Sequence, residues 1–278
     1  MFSWLKKALP GSENTRHTNS SSGSRGGSLA RTDLPNEYDA LKRRGNEFLS
    51  QGMLERAAQC YREAVSINPT HAEGFLNLGF VSRELKLYQD AERYLQQAVR
   101  IDPAMADAYY LLGGIAQECG NLAGAVDNYR KTLELKPDFE IAYLDLFHLF
   151  FQSGQYAGAK SIIQQGLAVN PGSAEFQYCL GKLHVQEKEL EQAIVCYQKA
   201  LSIQPDFAEA HGVLGNIFKD QGRLDEAEAC YHKALELDPD DADVHDNLGK
   251  VYGRLGRPMD GEYEFQRAAA LRQGGMFP

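Results

Sequence analysis

Two segments of the 278-residue sequence have residue types found in ligand-binding loops. Residues 154–161, GQYAGAKS, lack the glycine that a phosphate-binding loop places directly before its lysine, and no predicted strand precedes them. The aspartates between Asp238 and Asp246 lack the glycine and glutamate that a calcium-binding loop needs at fixed positions. We therefore interpret the first segment as a turn between two helices and the second as a solvated loop that caps a helix.

The histidines and cysteines lack the spacing of a metal centre or a catalytic pair. His211 and His245 are 34 residues apart, but no third metal ligand stands at a fitting distance. Three cysteines recur at multiples of the same spacing, which indicates a repeated packing environment: Cys60, Cys196 and Cys230. Cys179 falls outside this series, and a reactive thiol there stays an alternative. We expect no metal ion, no cofactor and no catalytic residue.

The composition is that of an acidic protein with enough apolar residues to build a core. Hydrophobic residues make up 43% of the chain, and the formal net charge is −9. A nucleic-acid surface needs clustered excess lysine and arginine, so a nucleic-acid partner is not expected. No apolar run reaches the roughly 18 residues of a membrane-spanning helix. The five cysteines and the absence of a secretory signal favour a reducing, cytoplasmic location.

A period of 34 residues governs most of the sequence. It is marked by six prolines in register: Pro69, Pro103, Pro137, Pro171, Pro205 and Pro239. If the proline is position 32 of a unit, the first unit starts at Tyr38, and small residues recur at positions 8, 20 and 27. Position 8 is glycine in six of the seven units: Gly45, Gly79, Gly113, Gly181, Gly215 and Gly249. Such a period indicates a repeated supersecondary unit.

Each unit is predicted to consist of two helices joined by a tight turn. Apolar residues recur at helical spacing on both sides of a short break. Glycines stand at this break, where a helix end needs a residue that tolerates positive φ: Gly52, Gly120, Gly154, Gly222 and Gly256. The small residues at positions 8, 20 and 27 are expected to let the two helices approach closely.

The pattern resembles the tetratricopeptide repeat (TPR) family. The resemblance implies an all-α fold, a right-handed α-solenoid of antiparallel helix pairs, whose first helices line a concave groove for a peptide or a partner segment. Residues 38–273 would hold seven repeats, in windows at 38–71, 72–105, 106–139, 140–173, 174–207, 208–241 and 242–275. Residues 1–10 would form a short apolar-basic head, residues 11–37 a flexible Ser/Gly-rich linker, and residues 274–278 an uncapped tail.

The resemblance also selects candidate binding residues. In the family, positions 2, 5, 6, 9, 12 and 13 of each first helix face the groove. The candidates at these positions are Lys42, Asn46, Asn77, Phe80, Tyr110, Leu144, His148, Phe151, Tyr178, Lys182, Asn216, Lys219, Asn247 and Lys250. Together they predict a groove with basic ends and an aromatic middle, and aromatic patches are typical of binding hot spots. Packing of these rings against neighbouring helices is the alternative.

Two specialised grooves of the family are matched only in part. Three residues fit the carboxylate clamp of chaperone-binding members: Lys42, Asn46 and Asn77. Asp107 and Leu111 stand where that clamp has its basic pair, so the charge for a C-terminal carboxylate is missing. Protein O-GlcNAc transferases carry an asparagine at position 6 of most units, and only Asn77 and Asn247 keep it here.

The fourth unit departs most from the pattern. Phe147 replaces the glycine at position 8, and Gly166 is the smallest residue found at position 27. The two changes look compensatory, so a larger residue at 166 is expected to overpack against Phe147. Because the same unit also carries His148 and Phe151, we predict that it is the centre of ligand contact.

The function predicted from the sequence is that of a non-enzymatic scaffold or adaptor that binds a protein or peptide in its groove. The alternative is the substrate-recognition half of an enzyme system, O-GlcNAc-transferase-like or another transferase, whose catalytic domain is a separate chain or is missing. Phe2, Leu5 and Leu9 lie at helical spacing beside two lysines, so contact of this head with a membrane surface or a partner stays open.

Overall fold

The computed structural model describes residues 37–274 as a series of paired α-helices. The head, most of the linker and the last four residues of the tail lie outside this range. Within it the structure has fourteen helices and no strand, which confirms the all-α fold of helix pairs. None of these described helices combines the length and apolar character needed to cross a membrane.

The helices follow one another as short pairs. They are α1 (Glu37–Ser50), α2 (Leu54–Ile67), α3 (Ala72–Glu84), α4 (Tyr88–Ile101), α5 (Ala106–Glu118), α6 (Leu122–Leu135), α7 (Glu140–Gln152), α8 (Tyr156–Val169), α9 (Ala174–Gln186), α10 (Leu190–Ile203), α11 (Ala208–Asp220), α12 (Leu224–Leu237), α13 (Ala242–Arg254) and α14 (Pro258–Arg272). Each odd-numbered helix is the first of its pair and is joined to the second by a three-residue turn.

Each of the seven first helices ends in a turn that contains one residue with positive φ. The five glycines predicted at this break have φ between 73° and 80°, as the sequence indicated. The other two turns place Lys86 and Lys188 in the same conformation, with φ of 60° and 63°. A side chain in this left-handed region is strained, so these two turns carry a local cost that glycine avoids.

The chain divides into two compact units, whose described parts are residues 37–136 and 137–274. The first contains α1–α6, and its core includes the fully buried Tyr61, Leu78 and Leu95. The second contains α7–α14, and Tyr197, Tyr231 and Leu248 lie in a core cluster there. Burial of large side chains at about 25 cal/mol per Å² stabilises each unit.

Within a pair, the glycine at position 8 makes room for the large side chain at position 24. A Cβ atom added at each such glycine would lie 2.5–2.8 Å from that side chain: Gly45 from Tyr61, Gly79 from Leu95, Gly113 from Tyr129, Gly181 from Tyr197, Gly215 from Tyr231 and Gly249 from Phe265. Real Cβ atoms essentially never come so close to a neighbouring atom. The close helix approach predicted from the small residues is therefore a contact of backbone with a ring or a leucine.

The expected compensation between Phe147 and Gly166 is wrong. The side chain nearest to a Cβ at Gly166 is that of Phe176 in α9, with Cε2 at 2.8 Å. Gly166 thus makes room for the next helix pair. Phe147 is fully buried, and its own pair carries the smaller Ile163 at position 24. We infer that the volume lost at Ile163, not at Gly166, accommodates the phenylalanine ring.

A double-mutant cycle separates these two partners of residue 166. We expect Gly166→Ala to destabilise the protein by about 1–3 kcal/mol because the new methyl group overlaps the Phe176 ring. Phe176→Leu should remove much of this penalty, and Phe147→Leu should not. The free energies of unfolding of the single and double variants give the coupling. A larger coupling with Phe147 than with Phe176 would contradict the assignment.

Side-chain caps define three of the helix starts. Asn121 accepts a hydrogen bond from the Gly124 N–H at 3.0 Å, and Ser173 accepts one from the Phe176 N–H at 3.2 Å. Asp241 accepts from the N–H groups of residues 243 and 244 at 2.9 and 3.0 Å. The interpretation of the aspartate-rich segment as a loop that caps a helix is confirmed for Asp241. Such caps typically contribute about 1 kcal/mol each.

Candidate partner-binding faces

In the unit of residues 37–136, the polar candidates on α1 already have partners. Lys42 Nζ forms an ion pair with Glu73 at 2.8 Å. Asn46 Oδ1 accepts a hydrogen bond from the hydroxyl of Tyr61 at 2.6 Å. This hydroxyl belongs to the position-24 ring that fills the space beside Gly45, so Asn46 helps to hold the first pair together. Both side chains are half-buried, and a ligand would have to compete with these contacts.

The other three candidates of this unit are buried. Asn77, Phe80 and Tyr110 keep only 3%, 6% and 6% of their surface exposed. The Tyr110 ring packs on Tyr129, with 5.5 Å between the ring centroids. Asn77 Oδ1 has no hydrogen-bond partner within the described residues. These three side chains therefore offer little accessible surface to a ligand. The rings of Phe80 and Tyr110 pack inside the protein, which was the alternative to a binding role.

Asp107 occupies the place where a carboxylate clamp carries a cation. Its Oδ1 atom is buried and has no hydrogen-bond partner within the described residues. Burial raises the pKa of this carboxyl group, and the positive charge of Lys136 acts in the opposite direction. A buried carboxylate repels rather than attracts a C-terminal carboxylate. Asp107 therefore not only lacks the positive charge of the clamp but also opposes binding of a C-terminal carboxylate.

Removal of this buried charge should stabilise the protein at neutral pH. A carboxyl group whose pKa is raised on folding opposes folding when ionised, and this cost disappears as the pH falls through the folded pKa. We expect Asp107→Asn to raise the melting temperature at pH 7, with a difference that shrinks toward pH 4. Asp127→Asn, at an exposed position in α6, is the control and should change little. A lower melting temperature for Asp107→Asn at pH 7 would contradict this reading.

In the unit of residues 137–274, two neighbouring first helices bring a lysine against aromatic rings. We call His148 and Phe151 of α7 with Tyr178 and Lys182 of α9 the aromatic–lysine cluster. Lys182 Nζ lies 5.2 Å from the centroid of the Phe151 ring and 5.9 Å from that of Tyr178. It also lies 5.9 Å from the centroid of the Phe147 ring. These distances are within the range of a cation–π interaction.

Lys182 has no carboxylate partner among the described side chains. The ion pairs of this part of the chain join other residues, and its ammonium lies within 6 Å of the centroids of three rings. The side chain is half-buried, so part of its hydration is already lost. Since each cation–π contact is worth only about 0.5–2 kcal/mol, the ammonium retains capacity to bind an anionic group.

His148 is the exposed member of this cluster. The residue is exposed, although its ring lies against Phe147 with 5.3 Å between centroids. Burial of part of the ring, and secondarily the charge of Lys182, lower the pKa of His148. The imidazole is therefore neutral at pH 7, where it can donate and accept one hydrogen bond each without adding charge. Leu144, one turn earlier on α7, is half-buried.

Phe151 has both a packing role and an exposed part. Its ring lies 5.3 Å from that of Phe147 and 5.4 Å from that of Tyr156 in α8. It is nevertheless only half-buried. Tyr178 is similar, since its ring packs 4.9 Å from Phe207 and is half-buried. Each of these rings is anchored by its neighbours, which is the arrangement that rigid hot-spot residues have in known interfaces.

Lysines and an arginine continue on α11 and α13, the next two first helices. Lys219 Nζ donates to Asn247 Oδ1 at 2.7 Å, and the Lys219 carbonyl accepts from Arg254 Nη1 at 2.6 Å. Lys250 is exposed and pairs with Asp246 at 2.6 Å. We call Lys219, Lys250 and Arg254 the basic row. Asn216, predicted beside it, instead accepts a hydrogen bond from Tyr231 at 2.7 Å.

A reactive thiol at Cys179 is excluded by its surroundings. The residue is 3% exposed, and burial raises the pKa of its thiol to about 12. At neutral pH the group is therefore a thiol rather than the nucleophilic thiolate. The repeated packing environment of the other series is confirmed for Cys60 and Cys196, which are buried, whereas Cys230 is half-buried.

The two histidines at position 4 have structural partners. Nε2 of His211 donates to the Pro205 carbonyl at 3.1 Å, and Nε2 of His245 donates to the Pro239 carbonyl at 3.1 Å. A carbonyl only accepts, so each Nε2 carries a proton. The buried Nδ1 of His245 also lies 2.5 Å from Glu264 Oε2. Each histidine thus ties its helix to the preceding loop.

The sequence alone did not reveal that Asn46 and Asn216 serve as acceptors for tyrosines. A signal was present, because both units with asparagine at position 9 carry tyrosine at position 24. This pairing was not recognised because the family pattern assigns position 9 to the groove. Grouping of His184, Glu187 and Glu189 at one turn was also missed. The 34-residue period did not reveal this group because His184 lies on a helix, whereas Glu187 and Glu189 lie in the turn that follows it.

Comparison with known protein families identifies the repeat. Residues 38–71 and 72–105 each match a sequence profile described as "Tetratricopeptide repeat". Residues 104–276 match the profile described as "Cilia and flagella-associated protein 70 C-terminal domain". This last match covers more than half of the chain. No curated protein matches the chain in sequence.

Solved structures show the same fold at low identity. A tetratricopeptide repeat protein from Parabacteroides merdae ATCC 43184 is 18% identical, with a TM-score of 0.63 over 84% of this chain and 93% of its own. Pseudomonas aeruginosa pilF is 19% identical, with a TM-score of 0.63 over 78% and 97%. MamA is 23% identical, with a TM-score of 0.52 over 59% and 95%. The chain belongs to the tetratricopeptide repeat family, and its residues 104–276 belong to the family described as the cilia and flagella-associated protein 70 C-terminal domain.

Proposed function

We propose that the chain is a non-enzymatic scaffold that binds an acidic peptide segment of a partner protein on the first helices of residues 137–274. The TPR fold itself implies protein–protein interaction. The observation that carries the finer proposal is the half-buried Lys182, surrounded by three aromatic rings and without a carboxylate partner among the described residues. An anionic side chain of a partner would form an ion pair with this ammonium group.

Charge complementarity favours an acidic segment. The whole chain has a net charge of −9, so an acidic partner is repelled at long range and is attracted only where cations are concentrated. The basic row extends the positive charge of Lys182 along two further first helices. Acidic groups are also present there, since Asp246 pairs with Lys250 and Asp220 lies 3.8 Å from Lys219. Lys182 is therefore the strongest single anchor for an anionic group.

Apolar contacts would supply much of the affinity. Phe151 and Tyr178 keep part of their rings accessible, while Phe147, Tyr156 and Phe207 hold them in place. Anchored rings lose little conformational entropy when a ligand binds. A segment that places an apolar side chain next to a carboxylate would use the rings and the lysine together. His148, exposed and neutral at pH 7, would supply a hydrogen bond to the same segment.

The proposal includes a reducing, cytoplasmic location. Five described cysteines are free, and their positions across separate helices favour packing roles rather than a disulfide framework.

Peptide-display selection against the intact chain tests the proposed ligand class. The library is counter-selected against the Lys182→Glu variant, so that only peptides that depend on this lysine are kept. We expect enrichment of acidic sequences with an apolar residue next to the carboxylate. Selected peptides that are neutral or basic, or that bind both proteins equally well, would contradict the proposal.

A further inference from the structure

The turn between α9 and α10 has the backbone conformation of the other turns within helix pairs, but its side chains differ. Its central residue is Lys188, with φ of 63°. The Glu189 N–H donates to the His184 carbonyl at 2.8 Å, and the Lys188 N–H donates to the Val185 carbonyl at 3.0 Å. These backbone bonds hold Glu187 and Glu189 next to the last turn of α9, on which His184 lies.

Three potential ligand atoms converge at this turn. His184 Nδ1 lies 2.7 Å from Glu189 Oε2 and 3.8 Å from Glu187 Oε2. All three ligand atoms lie within 4.8 Å of one another. Ligands about 2.0–2.2 Å from a tetrahedral zinc ion are separated by roughly 3.3–3.5 Å. Small side-chain rotations would therefore bring the three atoms to metal-binding distances.

The fold itself does not require these three residues. Within the described repeats, the corresponding positions 11, 14 and 16 of four other units hold no such set: Ala116, Cys119 and Asn121; Phe150, Ser153 and Gln155; Phe218, Gln221 and Arg223; Tyr252, Leu255 and Arg257. The same turn forms in all of these units. One imidazole and two carboxylates at a single turn are thus an addition to the repeat.

Local charge also favours a cation. His184 lies in the last turn of α9, where the helix dipole places partial negative charge. Two carboxylates add two negative charges, and Lys160 Nζ pairs with Glu187 at 2.8 Å and neutralises one of them. The side chains of His184, Glu187 and Glu189 are 15%, 32% and 44% exposed, so water can complete the coordination of an ion.

We propose that His184, Glu187 and Glu189 form a binding site for a divalent transition-metal ion of the zinc class. Imidazole nitrogen selects such ions over magnesium and calcium, which bind oxygen ligands. In the metal-free protein, the Nδ1 proton lies between His184 and Glu189. Metal binding at Nδ1 requires the imidazole tautomer with its proton on Nε2, so the proton moves through solvent and none is lost overall. This site is independent of the proposed peptide-binding face.

Titration of the full chain with Zn²⁺, followed by calorimetry in a buffer without thiols, tests the proposal. We expect His184→Gln to weaken the binding at least tenfold. Lys160→Met should strengthen it several-fold because it frees Glu187 and removes a competing charge. His232→Gln is the matched control, since this exposed histidine has a carboxylate of Glu228 at 3.6 Å but no second one within ion-pair distance among residues 37–274, and the variant should bind Zn²⁺ as the wild type does.

Co²⁺ serves as a spectroscopic probe of the ligands. With nitrogen and oxygen ligands, the bound Co²⁺ should show d–d absorption without a thiolate charge-transfer band, which separates this site from the cysteines. Absence of Zn²⁺ binding, equal affinity of His184→Gln and wild type, or a thiolate band that persists in His184→Gln would each overturn the proposal.

Discussion

Gly249→Ala is expected to destabilise the last helix pair by about 1–3 kcal/mol. The added Cβ atom would lie 2.8 Å from Phe265 Cε1 and 3.0 Å from the Gly261 carbonyl oxygen. The ring has some freedom to move, but the carbonyl belongs to the backbone of α14, so the two helices must separate. Hydrogen exchange of the amides in α13 and α14 measures the local stability, and the melting temperature of the chain measures the global effect.

Gly253→Ala, four residues later on the same helix, is the matched control. Among the described residues, no atom outside the neighbouring backbone of α13 lies within 4 Å of a Cβ at this position. Replacement of an unconstrained helical glycine by alanine stabilises a helix by about 0.5–1 kcal/mol. The two substitutions add the same methyl group to α13 and are expected to act in opposite directions. A shift of the same sign for both would show that the position-8 contact does not decide how α13 packs on α14.

Lys182→Glu is expected to weaken the binding of an acidic peptide at least tenfold. The substitution replaces the cation among the three rings by a carboxylate, which repels the ligand and loses the cation–π contacts. Lys182→Met keeps an apolar stem of similar length and should lose less affinity. The dissociation constants of the selected peptide, measured at low and moderate salt, report both effects.

Lys199→Glu is the control for the change in net charge. Lys199 is exposed on the second helix α10 and is not part of the aromatic–lysine cluster. The Lys199→Glu substitution alters the total charge of the chain by the same amount as Lys182→Glu, so a general electrostatic effect would appear equally in both variants. If Lys199→Glu weakens binding as strongly as Lys182→Glu does, the specific role of Lys182 is wrong. Melting temperatures of all variants confirm that the protein remains folded.

The helical architecture could be predicted from the sequence because the same residue types recur at the same positions in successive repeats. Glycine at positions 8 and 15 satisfies two backbone constraints, close approach of helices and positive φ. Each recurrence strengthens the inference, and one exception does not weaken it. Lys86 and Lys188 show the limit, because their turns adopt positive φ without the residue that indicates it.

Contact partners were harder to predict than positions. A period gives the average environment of a position, but it does not say which other position fills the space beside it. Gly166 was therefore paired with Phe147, whereas its neighbour is Phe176 of the next pair. The same limit applies to Phe80 and Tyr110, which the family pattern assigns to the groove and which the structure buries. Burial depends on the size of neighbouring side chains, and this varies from unit to unit.

The aromatic–lysine cluster was only partly visible in the sequence. The aromatic residues of α7 indicated a special fourth unit, and Lys182 was a candidate because of its position. Their combination required the distance between α7 and α9, which places one ammonium against three rings. The lowered pKa of His148 likewise follows from burial that no single-residue pattern reports.

Site-specific photo-crosslinking shows whether the acidic peptide binds at the aromatic–lysine cluster. A photoreactive amino acid is placed at position 148, the exposed position of the aromatic–lysine cluster, or at position 164, which is exposed on the second helix α8. Each protein is irradiated with the selected acidic peptide, and the crosslinked product is identified by mass spectrometry. We expect an efficient crosslink from position 148 that excess unlabelled peptide suppresses, and little crosslink from position 164. Equal crosslinking from both positions, or a crosslink from position 164 alone, would contradict binding at the cluster.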